Sequence, residues 1–234
     1  MMKALFATIS TSLLVAGLFL FANAGGDASF DSLVKNEEEH SKVLASLVTK
    51  YSKFGQVDFD VQRVSLQSML GRTKTSEGKM SLSQSGKFWW KIEKPQSTLL
   101  VFDGTFAWNE EKITEDLGGG IKVAKSKHFK ASPAYKVLQV LMGKGKLTEL
   151  FTPLKTSRNG STVELQLTPK KKDWNISVLH IKVNEKDLDL KSISYFDDLE
   201  NKTELNFSAP DYHKEEDKKK FSYTPPKEAE ITEL

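Results

Sequence analysis

The chain of 234 residues is 38% apolar and 28% charged, and it contains no cysteine. That excludes collagen, low-complexity disorder and disulfide-stapled miniproteins. Thirty-four Lys and Arg against 31 Asp and Glu leave +3, with the two signs interspersed rather than gathered in a stripe, which argues against a nucleic-acid partner.

Met1-Met2-Lys3 supplies a positive start, Ala4 to Phe21 an uncharged apolar stretch, and Ala22-Asn23-Ala24 a small-x-small site before Gly25-Gly26. The pattern predicts a cleavable secretory signal over 1–24 and one exported domain over 25–234. The alternative is an N-terminal membrane anchor, because the apolar stretch is just long enough to span. An exported domain of this size can rely on its core without disulfides, which fits a Gram-negative periplasm.

From Phe30 to Phe54, Val43, Leu44, Leu47, Val48, Tyr51 and Phe54 recur at helical spacing, with acidic residues early and Lys50 and Lys53 late, predicting an amphipathic helix. After Gly55 the period becomes two, in Val57, Phe59 and Val61. The alternation returns in Met80 and Leu82, and in Phe88, Trp90 and Ile92. Leu99 to Phe102 is apolar on both faces, and Asp103-Gly104 is a hairpin signal leading to Phe106 and Trp108.

Between Glu110 and Gly160 the strand pattern breaks. Gly118 to Gly120 marks a hinge loop, and Ser132-Pro133 starts a helix through Met142 carrying Val137, Leu138 and Leu141. Gly143 and Gly145 stop it, and Lys146 to Phe151 adds a turn. Strands resume at Val163 to Leu167, Trp174 to Val183, Leu188 to Phe196 and Thr203 to Phe207. Asp211 to Lys220 reads as a charged loop, and Phe221 to Tyr223 as a last short strand. The expected class is α+β: nine or ten strands in one curved antiparallel sheet, faced by helices.

Reactive chemistry is sparse. With no Cys and with His40, His128, His180 and His213 widely separated, no zinc pair, nucleophile elbow or phosphate loop is present in the sequence. The sequence predicts no enzyme, no metal and no cofactor. What stands out is aromatic: Phe88, Trp89, Trp90, Phe102, Phe106 and Trp108 fall on three consecutive strands. They describe either a filled core or a concave apolar surface suited to acyl chains, with helices as its lid.

The order of Gly78-Lys79-Met80-Ser81-Leu82, Gly86-Lys87-Phe88-Trp89-Trp90, Pro95, Leu99-Leu100-Val101-Phe102-Asp103-Gly104 and Trp108 resembles the N-terminal signature of the periplasmic outer-membrane lipoprotein carriers of the LolA type. Downstream, Leu167-Thr168-Pro169-Lys170 and Phe221-Ser222-Tyr223-Thr224-Pro225-Pro226 are similar to the family's later motifs, so the likeness spans Leu33 to Ile231. It implies an incomplete antiparallel half-barrel with helices covering its concave face. It also implies a monomer that takes acylated lipoproteins from an inner-membrane ABC-type release complex and hands them to the outer membrane, usually to a receptor there.

The residues placed in the lipid cavity are Met80, Leu82, Phe88, Trp90, Ile92, Leu99, Val101, Phe106 and Trp108. Leu47 and Tyr51 on the first helix and Leu138 and Leu141 on the second are the lid residues. Gln84 stands where many relatives carry a latch arginine, and lacks its charge and fork. Phe88→Glu is expected to upset loading with little effect on folding. The rival readings are a periplasmic lipid-sensing regulatory module of the same superfamily, a lipid hydrolase, and a filled β-sandwich.

Overall fold

The computed structural model describes residues 30–128, 133–142, 144, 146–171 and 176–234. The expected signal over 1–24, Ser132, Gly143, Gly145 and Trp174 lie outside the described residues.

The helix expected from the first periodic segment is α1, Phe30–Tyr51. The strands are β1 Gln56–Gln67, β2 Arg72–Ser83, β3 Phe88–Lys94, β4 Thr98–Phe102, β5 Ala107–Lys112, β6 Ile121–Ser126, β7 Phe151–Asn159, β8 Thr162–Pro169, β9 Val178–Asn184, β10 Leu190–Phe196, β11 Lys202–His213 and β12 Glu230–Glu233. Between β6 and β7 stand α2, Pro133–Leu141, and the single turn α3, Leu147–Leu150.

The twelve strands of the described residues join one sheet in the order β12-β6-β5-β4-β3-β2-β1-β11-β10-β9-β8-β7. Nothing in that order pairs β12 with β7, so the sheet curves without closing, and the class is α+β half-barrel. Neighbours run antiparallel except β12, which lies parallel to β6. β1 is the spine: it pairs along its whole length with β2, from Gln56↔Ser83 to Gln67↔Arg72, and on its other side with β11.

Directly opposed residues of an antiparallel pair share a face, so the register sorts the side chains. Phe59, Met80, Leu82, Phe88, Phe102 and Ala107 form one inner row, continued across β11 to β8 by Phe207, Ile193, Ile181 and Leu165. Leu44, Leu47 and Tyr51 of α1 and Val137, Leu138, Val140 and Leu141 of α2 belong to the same buried cluster. Both helices therefore cover the concave face.

The outer face of the β1 to β6 wing has its own cover. Segment 214–229 folds back over it, with Phe221 1% exposed. The Tyr223 ring lies 5.6 Å from that of Trp108, and its hydroxyl donates to Glu110 Oε2 at 2.8 Å. Lys220 reaches Asp58 Oδ2 at 2.6 Å with its ammonium 5.0 Å from the Trp89 ring centroid.

Several expectations are corrected. β6 and β7 stand in the region where the strand pattern breaks, and β12 adds a strand that the periodicity does not predict. Asp211 to His213 belongs to β11 rather than to a loop, and Phe221 to Tyr223 forms no strand. Gly118 to Gly120, at φ of 101°, 66° and 95°, make the connection between the paired strands β5 and β6, so they are no hinge of a lid. β7 escaped because Pro153 and the exposed Leu154 spoil its alternation, which an outermost strand tolerates.

Candidate functional site

The nine expected cavity residues divide between the two faces. Met80, Leu82 and Phe88 are buried on the inner face at 1, 2 and 4% exposure, and the Trp90 ring meets that of Phe88 edge-on at 6.4 Å. Ile92, opposite Gly78 and Thr98, continues this row towards the open end.

Leu99, Val101 and Trp108 are on the other face: Leu99 opposes Lys91 and Glu110, and Val101 opposes Trp89 and Trp108. The Phe106 ring lies tilted against that of Trp108 at 6.0 Å, with Lys125 over both rings. These four are corrected to outer-face residues. A strand apolar on both sides gives no parity of its own, and the segment that folds back over β3 to β5 is what makes the outer side apolar. Leu100, Phe102 and Ala107 hold the inner positions instead.

Trp108 is fixed by the turn before it. Asp103 accepts hydrogen bonds from the amides of Thr105 and Phe106 at 2.7 and 2.8 Å and from the Trp108 indole at 2.9 Å. Burial raises the Asp103 carboxyl, but these donors, with Lys87 nearby, hold it below the usual carboxylate range.

The first helix ends in a dense anchor. Lys50 bonds the Asp187 carbonyl at 2.9 Å and the Asp189 carboxylate, which also accepts from the Tyr212 hydroxyl. The Leu190 amide donates to the Tyr51 hydroxyl at 2.9 Å, and burial pushes the Tyr51 phenol up to about 12. Gln84 donates to the Ser52 carbonyl at 2.7 Å, and its amide to Gly55 at 2.9 Å. Its bonds thus secure the junction of α1 with β1.

The second helix meets the sheet at the turn between β2 and β3. The Tyr135 hydroxyl donates to the Gly86 carbonyl at 3.2 Å, and its ring packs edge-on to Phe102 at 5.1 Å. Gly86 sits at φ +96°, and a Cβ there would stand 2.7 Å from Gln139 Oε1 and 3.2 Å from the Tyr135 hydroxyl. Leu138 and Leu141 complete the contact as buried residues. The sequence reading missed Tyr135 and Gly86; the signal was available in the glycine that precedes Lys87-Phe88.

Beyond this cover the inner face opens into a groove of about 480 Å³. Trp90, Ile92 and Leu100 form its apolar strip; Arg63, Ser65, Gln67, Lys74 and Ser76 form one wall, and Asn109 and Glu111 the other. Among the described residues no group of three or more His, Asp or Glu could hold a metal, and no helix is long and apolar enough to cross a membrane.

A curved open sheet, helices on its concave side and an amphipathic groove at one end invite comparison with known proteins. The family model described as outer membrane lipoprotein carrier protein LolA matches residues 52–224, well over half of the chain.

The chain belongs to the LolA family.

Relatives named outer-membrane lipoprotein carrier protein agree with the LolA assignment. One from Chromobacterium violaceum is 25% identical over 230 residues, covering 98% of each chain. One from Cupriavidus pinatubonensis is 31% identical over 163 residues, covering 68% of this chain and 71% of that one. Among solved structures, an uncharacterized conserved protein from Thermus thermophilus superposes with a TM-score of 0.51 at 11% identity, over 83% of this chain and 99% of that one. That likeness shows the fold alone.

Proposed function

We propose that this LolA-family protein is a periplasmic carrier that binds the acyl chains of lipoproteins against its inner face and moves them from the inner-membrane release complex to the outer membrane. The observation that carries the reading is the groove at Trp90, Ile92 and Leu100, which continues the buried inner row beneath α2. In this closed form the side chains of α2 occupy the apolar surface that acyl chains would cover. Separation of α2 from Phe102 and Gly86 makes room, while α1, tied at Lys50 and Tyr51, stays with the sheet.

Burial of a methylene contributes about 0.8 kcal/mol, so roughly forty methylenes of a triacylated cargo would give on the order of 30 kcal/mol. That exceeds the practical ceiling of about 20 kcal/mol for non-covalent affinity. Displacing α2 from its apolar seat offsets part of this gain and keeps the cargo releasable.

The test is mass spectrometry of material extracted from protein purified from its native periplasm. Acylated peptides are expected with the wild type and depleted with Ile92→Glu, which puts a carboxylate on the apolar strip of the groove. Phe88→Glu is unsuited to this purpose, contrary to the expectation above, because Phe88 is 4% exposed and a carboxyl buried in its place would destabilise the fold itself. Protein that never carries acylated material overturns the reading.

A further inference from the structure

The end of the molecule at which the groove opens carries three of the four most exposed large apolar side chains among the described residues, the fourth being Leu234 at 70%. The turn between β1 and β2, Ser68–Leu70, presents Met69 at 83% and Leu70 at 62% exposure, and the turn between β10 and β11 presents Leu199 at 62%. The two turns are joined. The Ser68 amide donates to Asn201 Oδ1 at 3.0 Å, and the Ser68 hydroxyl donates to the Glu200 carbonyl. Three large apolar side chains thus project from one braced tip, and none of them contributes to the core.

From these contacts we infer that the tip inserts into the surface of a lipid bilayer and sets the groove against it. Gln67, the residue before the tip, lines the groove together with Arg63, Ser65 and Lys74, so an acyl chain leaving the bilayer beside Met69 meets the groove wall at once. From Gln62 to Ser76 the hairpin carries Arg63, Arg72 and Lys74 and no carboxylate, a complement to anionic headgroups. On the second turn Asp197 is engaged by the amides of Leu199 and Asn201, and Lys202 pairs with Glu204 at 2.6 Å; Asp198 and Glu200 are the remaining carboxylates. Charge is therefore close to balanced over the tip as a whole, and the hydrocarbon of Met69, Leu70 and Leu199 supplies most of the retention. Three side chains on two turns are also far too small a patch for a stable protein interface, which needs roughly 800 Å² on each partner.

The inference rests on the carrier reading for its purpose but is tested apart from it. Wild type and the Met69→Glu, Leu70→Glu double variant, sharing the same N-terminus, are compared for co-sedimentation with vesicles of phosphatidylethanolamine and phosphatidylglycerol. The variant is expected to bind at least about tenfold more weakly, with an unchanged melting temperature because both positions are exposed. Equal binding by the two proteins, or none by the wild type, overturns the inference. So does a variant that keeps vesicle binding yet loses lipoprotein transfer, since the tip would then serve a protein surface. Acylated cargo found on wild type whose tip is indifferent to vesicles leaves the carrier reading standing and removes only this one. Vesicle binding that depends on the tip, in protein without acylated cargo, does the reverse.

Discussion

At Gly86 a single missing methyl group decides whether the second helix can dock. The residue sits in the left-handed region, and the space its side chain would fill is occupied by Gln139 and Tyr135. Gly86→Ala is expected to cost about 1–2 kcal/mol from the backbone alone, with further loss from the displaced helix. A lipophilic dye reports the functional side of the change: its fluorescence should rise at equal concentration of folded variant as α2 lifts. Unaltered dye binding together with an unaltered melting temperature would show that the turn does not hold the cover. Gln84 joins the end of the first helix to the turn after β2: its side-chain amide donates to the Ser52 carbonyl, so it fixes where β1 begins.

At the scale of the element, the docking of α1 has a pH dependence built into it. His40 is 1% exposed; its Nδ1 lies 2.7 Å from Thr156 Oγ1 on β7, and its Nε2 is buried with no hydrogen-bond partner among the described residues. Burial lowers its pKa below the ordinary 6.5, so the folded protein holds the imidazole neutral where the unfolded chain would begin to protonate it. The contribution to stability is complete above pH 6.5 and is lost as the pH falls through the depressed folded value. Melting temperatures measured across this range should fall on the acid side for the wild type and change less for His40→Gln. Parallel curves for the two proteins would rule His40 out as the origin.

The elements also show what was legible. α1, β1 and the start of β3 were readable because their apolar positions keep one period, 3.6 for the helix and two for the strands. β6 was masked by the three glycines before it, and β7 by Pro153. The candidate site was half readable. Periodicity gave Phe88, Trp90 and Ile92 a common face, but Leu99 to Phe102 could be placed only through the pairing Phe88↔Phe102, which is a fact of register and not of composition. Tyr135 on Gly86 joins residues 49 positions apart, and no local pattern announces it.

At the scale of the whole molecule, one wing of the sheet is covered on both sides. The helices press on its inner face, and the segment after His213 folds back over its outer face. Lys87 holds Glu216 at 2.8 Å, Gln56 Oε1 accepts from the Asp217 amide at 2.9 Å, and Lys220 holds Asp58 at 2.6 Å. These contacts tie the fold-back firmly to the outer side of the sheet. Phe221→Ala should cost about 3–5 kcal/mol, the usual range for truncating a fully buried phenylalanine, seen as a lower urea midpoint. A shift below about 0.5 kcal/mol, the range of ordinary surface substitutions, would mean that the fold-back contributes little.

Because the strands never meet to complete a cylinder, two lateral backbone rims stay available to a neighbouring copy, the usual starting point for fibrous association. Both rims are blunted. Pro153 withdraws an N–H from β7, where the ladder also slips between Pro153 and Lys155, and the other rim is a four-residue strand bearing Glu230 and Glu233. If the sheet stays unclosed to admit a guest, as proposed above, these blunted rims let it remain dispersed without a closing seam to prevent polymerisation.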